Sequence, residues 1–150
     1  DAGGLAVPQM KAKLRRIKGL GLVVIDYLQL MDSAKVKNGN RVEVVSEITR
    51  QLKLMAKELD VPVIVLSQLA RGPDSRTDHR PVLSDLRESG SIEQDADIVL
   101  MLYRDGYYHP EAEQQNLSEC IIAKNRHGEV GAINLIWDGQ YTRFSGMAKE

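Results

Sequence analysis

An apolar run that stops abruptly at an acid constrains this chain more than any other feature. From position 20 the residues are Leu-Gly-Leu-Val-Val-Ile, and Asp26 follows at once. A short apolar segment rich in β-branched residues predicts a strand covered on both faces, the pattern of parallel sheets. Asp26 then lies just outside the carboxyl end of that strand, where open α/β sheets bind their ligands. Two uses fit a carboxylate at such a place. It can hold the water shell of Mg²⁺ beside the phosphates of a nucleotide, or it can cap the turn that follows.

The rest of the chain supplies what such a strand needs. Val44, Ile48, Leu52, Met55 and Leu59 recur at three- and four-residue steps and predict a helix from Val42 to Leu59. Val61 to Leu66 is a second apolar strand, so strand, helix and strand form a βαβ unit with a right-handed crossover. It ends in Ser67-Gln68, which places a polar side chain at the carboxyl edge for a second time. Ahead of it, Pro8 opens an amphipathic helix to Lys18, with Met10, Leu14 and Ile17 on one face and basic residues around them. That basic face meets either phosphates or solvent. Asp32 to Arg41 reads as an exposed loop, and Arg71 to Glu93 as a long polar one interrupted by Pro73 and Pro81. Asp97 to Tyr103, Ser118 to Lys124, Ala132 to Trp137 and Gln140 to Phe144 predict further strands, the last pair joined at Asp138-Gly139 by a two-residue hairpin. The fold class is α/β, a parallel βαβ sheet continuing into antiparallel carboxy-terminal hairpins.

Bulk properties narrow the function. The chain has 150 residues, 43% hydrophobic and 27% charged, which suits one soluble globular domain and excludes a disordered chain. No apolar run approaches a membrane span and no signal peptide opens the chain, so a cytoplasmic protein with no membrane partner is expected. A net charge of −1 means that any nucleic-acid site must be made from local clusters. Cys120, the single cysteine, lies in an apolar run and is expected to be buried. His79, His109 and His127 have no partner at zinc-ligand spacing.

Three motifs in this order are jointly specific: Val24-Ile-Asp-Tyr-Leu-Gln-Leu30, Val65-Leu-Ser-Gln-Leu69, and the block from Ser84 to Asp97. Together they resemble the carboxy-terminal ATPase domain of the DnaB family of bacterial replicative DNA helicases, hexameric motors with a RecA-like core. The resemblance extends from the helix at Pro8 to Phe144 and is most diagnostic from Asp85 to Asp97. It implies an ATP- and Mg²⁺-dependent DNA helicase that couples hydrolysis to translocation on single-stranded DNA and to duplex unwinding. It also implies a homo-hexamer, a place in the primosome with primase and a helicase loader as partners, and a location at the nucleoid.

Residue by residue, the resemblance makes Asp26 the Walker B aspartate that orients a Mg²⁺-bound water. Gln68 becomes the sensor of the γ-phosphate, an amide able to donate to it and to report its loss. Lys124 and Arg126 match the Lys-x-Arg element that reaches into a neighbouring subunit's nucleotide site, with Arg126 as the arginine finger. Taken as sequence alone, these two read equally as hairpin-edge cations that discourage aggregation. The segment from Arg87 to Ser91 resembles the loop that follows the DNA backbone, with Arg87 supplying charge beside Glu88, and Gly90 letting main-chain amides approach a phosphate. Such contacts are blind to base sequence. The local alternative is a capped turn starting a short helix near Ser84.

The chain contains no Gly-x-x-x-x-Gly-Lys-Ser/Thr, so no phosphate cradle is present. In the family that P-loop and the glutamate that activates the attacking water lie upstream. Residues 1–150 are therefore read as the carboxy-terminal portion of the motor domain, its sheet lacking the amino-terminal part, and inactive alone. The P-loop strand would lie between the strands ending at Gln68 and Tyr103. These are expected to pair directly, or to leave an edge that another copy covers. The competing reading is a non-catalytic module that binds single-stranded DNA or directs assembly. Asp26, Gln68, Lys124 and Arg126 together favour the motor, because a module without nucleotide has no use for all four.

Overall fold

Strand β1, Val23–Ile25, pairs in parallel with β2, Val63–Val65, in the register Val23↔Val63 and Ile25↔Val65. Between them runs α2, Arg41–Leu59, and before them α1, Val7–Leu14. The computed structural model describes residues 6–31, 40–69, 73, 76–111 and 113–147. It divides into two units, one of residues 1–70 and 86–96, the other of residues 71–85 and 97–150.

In the first unit Val45, Ile48, Leu52 and Met55 of α2 pack with Val7, Val23, Ile25, Leu28 and Met31 as one buried cluster. Val44 and Leu59, predicted for the same stripe, are partly buried at its margin. The helix starts where its chemistry allows: Asn40 accepts the Glu43 amide at 3.0 Å, while its own amide donates to the Glu43 carboxylate at 3.3 Å. Such a cap contributes about 1 kcal/mol. At the other end Asp60 adopts the left-handed conformation, φ 51°, and turns the chain into β2. β1 is covered on one face only, since Val24 is 58% exposed, whereas burial on both faces is expected from its sequence. A two-stranded sheet whose helices sit on one side buries every second residue.

α1 ends at Leu14, so Ile17 lies beyond it and is exposed. Part of its basic character is engaged: Lys11, and Arg15 just past the helix end, both pair with Glu58 of α2, at 2.7 and 3.1 Å. These ion pairs, with Lys11 foremost, hold the Glu58 carboxyl below its ordinary pKa.

The second unit is an antiparallel meander in the order β3-β4-β5-β6. Its strands are β3, Ile98–Arg104, β4, Leu117–Asn125, β5, Gly131–Asp138, and β6, Arg143–Gly146. On β3, Val99, Met101 and Tyr103 are buried while Ile98, Leu100 and Leu102 are exposed. The β3–β4 register skips Ala123, because Val99 pairs with Lys124 and Leu100 with Ile122, a bulge that reorients the end of β4. Asp138 pairs with Arg143, so residues 139–142 make the hairpin turn, with Thr142 at φ 50°. The two-residue turn predicted at Asp138-Gly139 is corrected: the ladder stops at Asp138 and the chain needs the left-handed step at Thr142 before it re-enters. Cys120 is half-buried rather than fully enclosed.

Among the described residues no ladder joins β2 to β3, whose hydrogen-bonded neighbours are β1 and β4. The direct pairing expected of these strands is therefore not formed. They belong to different sheets.

Candidate functional site

Parallel register places the carboxyl ends of β1 and β2 side by side, and backbone hydrogen bonds carry the pairing past both strands. The Leu66 amide donates to the Ile25 carbonyl at 2.9 Å, and the Leu28 amide donates to the Leu66 carbonyl at 2.8 Å. Asp26 follows Ile25 directly and is exposed at this edge, and its peptide bond to Tyr27 is cis. The next turn, the 3-10 segment Leu28–Leu30, is anchored by Leu28, which is 1% exposed. Gln68 is also exposed, three residues beyond the end of β2. The structure thus brings both predicted strand-end residues to one edge of one small sheet.

The donor set is a single carboxylate. Among the described residues no three His, Cys, Asp or Glu side chains converge as a metal cage. One exposed carboxylate fits Mg²⁺, which keeps several waters and takes one or two carboxylates beside nucleotide phosphates. It does not fit a metal that needs a cage of protein ligands.

In the first unit the predicted DNA segment is helical. Residues Leu83–Ser89 form 3-10 turns that lead into α3, Gly90–Asp95, so the loop expected from Arg87 to Ser91 is corrected to a helix. The side chains of Arg87 and Glu88, and the surroundings of Gly90, lie outside the described residues. Thr49 of α2 holds α3, donating to Asp95 Oδ2 at 2.7 Å and lying 2.9 Å from Ser91 Oγ.

In the second unit, Asp85 Oδ2 accepts the Val82 amide at 2.7 Å, the bond of an acid reaching back to a helix N-cap. Arg76 forks onto both oxygens of the buried Asp85, at 2.8 and 2.5 Å. This guanidinium is the main cause holding the Asp85 carboxyl below its ordinary pKa. Arg80 pairs with both oxygens of Glu119 on β4, at 2.6 and 2.5 Å, and lies over the Tyr103 ring. Burial, then the hydrogen bond to Asp105, pushes the Tyr103 hydroxyl up to about 12. Two cations of the polar segment, Arg76 and Arg80, are therefore structural, while Arg71 lies outside the described residues.

Lys124 is half-buried on β4, opposite Val99. Arg126 follows the strand; its amide donates to the Asp97 carbonyl at 2.8 Å and its guanidinium is 3.3 Å from Asp97 Oδ1. Both side chains of this pair are nearly half exposed. An ion pair so solvated is worth little.

Residues 1–146 match the family model described as the DnaB-like helicase C terminal domain. The chain belongs to this family. It is 52% identical over 152 residues to the replicative DNA helicase DnaC of Bacillus subtilis (strain 168), covering 99% of this chain and 34% of that one. It is 46% identical over 154 residues to the replicative DNA helicase DnaB of Pasteurella multocida (strain Pm70), covering 100% and 33%. A DnaB-like replicative helicase, solved with attention to its interactions with primase, superposes with a TM-score of 0.93 at 49% identity, covering 99% of this chain and 37% of that one. A second solved structure, an isolated ATPase domain, gives the same TM-score and identity over 54% of its chain. The chain spans about a third of the length of the curated relatives it matches.

In this DnaB-like domain the α/β, RecA-like architecture is that of solved ATPase domains. Two residues, one in each unit, have no role in the sequence reading. Asp97, which holds Arg126, is hidden inside the diagnostic block. Gln29 had a visible signal, a polar residue between Leu28 and Leu30, but its partners are far along the chain.

Proposed function

We propose that this chain is the carboxy-terminal part of the motor domain of a hexameric replicative DNA helicase, which couples ATP hydrolysis to translocation on single-stranded DNA and to unwinding. The observation that carries the reading is the family match over residues 1–146, together with Asp26 and Gln68 at one sheet edge. Mg²⁺, when bound with ATP, neutralises charge developing on the phosphates. Asp26 would hold that ion through its water shell, and Gln68 would donate its side-chain amide to the γ-phosphate. Arg126 acts as a finger toward the site of a neighbouring subunit, with Lys124 as a second cation there. Arg87, Glu88 and Gly90 lie on the segment that follows the DNA backbone. Single-stranded DNA, primase and a loader are the partners, and the protein works in the cytoplasm at the nucleoid. Among the described residues no helix is long and apolar enough to cross a membrane.

The test is ATP hydrolysis by the 150-residue chain alone and after mixing with a P-loop segment taken from one of its relatives. Silence alone with Mg²⁺-dependent hydrolysis on mixing is expected. Silence in both, with tight binding of single-stranded DNA by the chain, would point to a non-catalytic module instead.

A further inference from the structure

Past the end of β2 the backbone is held by a side chain. Gln29 Nε2 donates to the Gln68 carbonyl at 3.0 Å and to Ser67 Oγ at 3.2 Å, and Gln29 Oε1 accepts the Gln68 amide at 3.3 Å. A primary amide that donates to the carbonyl and accepts the N–H of one residue reproduces what a neighbouring strand offers it. The β1–β2 ladder reaches the Leu28–Leu66 bond, and the Gln29 side chain extends it to residue 68. Among the described residues, Gln29 supplies every hydrogen bond made by the Gln68 backbone. Gln29 is itself fixed at both sides. The Leu28 side chain next to it is buried, and the Gln29 carbonyl accepts from the Arg41 guanidinium at 2.9 Å, in the first turn of α2.

We infer that Gln29 is a positioning residue for hydrolysis: its amide sets the backbone of Gln68 and thereby the direction in which the sensor amide leaves the sheet. The inference rests on the sensor reading of Gln68 given above. Asp26 and Gln29 lie on the same short turn, so one segment carries both the ion-orienting carboxylate and the clip that aims the sensor. Gln29 touches no phosphate in this scheme. Its removal leaves nucleotide affinity to other groups and weakens what Gln68 contributes at the transition state.

The experiment is a double-mutant cycle of Gln29→Met and Gln68→Ala in the full-length protein carrying this chain, read as kcat and KM for ATP. Met keeps the length of the side chain and loses all three hydrogen bonds. Gln29→Met is expected to lower kcat about tenfold with KM unchanged, the size of one or two neutral hydrogen bonds. In the Gln68→Ala background the same change should alter kcat by less than about twofold, because the group it aims is gone. Parental kcat in Gln29→Met, a rise in KM alone, or a full tenfold loss added to that of Gln68→Ala would overturn the inference. Parental kcat in Gln68→Ala would instead sink the sensor reading, and the role of Gln29 with it. Gln29→Glu, which keeps the bulk and one acceptor, provides the same comparison if the Met protein does not fold.

Discussion

Asp85 sits 6% exposed with both oxygens engaged, one by the Val82 amide and both by the Arg76 fork. Its pKa in the fold is depressed by Arg76 first, so the carboxylate stabilises the fold at every pH above its unfolded pKa. That contribution is lost as pH falls through the lower folded value. Asp85→Asn should therefore lower the thermal midpoint by several degrees at pH 7, and the gap to the parent should narrow below about pH 4. Melts followed by circular dichroism across that range check it, and a gap of constant size would deny any part to ionisation. At this scale, the sequence shows Asp26 and Gln68 because each ends an apolar run, a change of pattern visible locally. Asp97 and Arg76 carry no such mark, and Gln29 shows only a polar residue between two leucines. Their partners lie 29, 9 and 39 residues away, and only folding brings them together.

Helix α2 shows which elements can be read in advance. Its apolar period and its Asn40 and Glu43 cap are local, and the predicted span of Val42 to Leu59 agrees with Arg41–Leu59. The turns from Leu83 into α3 lack an apolar period, for their composition is polar; their local mark is the cap that Asp85 makes with the Val82 amide, while another anchor is Thr49, 46 residues from Asp95. Thr49→Val keeps the shape and removes the hydroxyl that joins the two helices. It should cost about 1 kcal/mol and speed amide exchange in residues 90–96, while β1 keeps its protection. Exchange measured by mass spectrometry decides it: equal protection of α3 in both proteins would mean that packing alone holds the helix. The four-residue turn after β5 has a similar origin, since Asp138-Gly139 promises a tight hairpin but the Asp138↔Arg143 register requires a longer one.

For the whole molecule, the proposed function puts the finger and the site it serves on different copies. In the full-length protein carrying this chain, Arg126→Ala should then reduce hydrolysis by about 10³-fold or more, and mixing with the full-length Asp26→Ala protein should restore part of it. Activity measured over a series of mixing ratios checks this, and a mixture as silent as either parent would place both residues in one copy's site. The sequence by itself determined helix α2, the order of the strands, and the polar residues that end β1 and β2. Burial periodicity and capping act over a few residues, so they are written in any short stretch. Only the tertiary structure decided that β2 and β3 belong to separate sheets, that β1 is covered on one face, and that Gln29 grips Gln68. Those outcomes depend on which backbone groups meet across long loops. That is set by strand register and helix packing together, which no short stretch of residues contains.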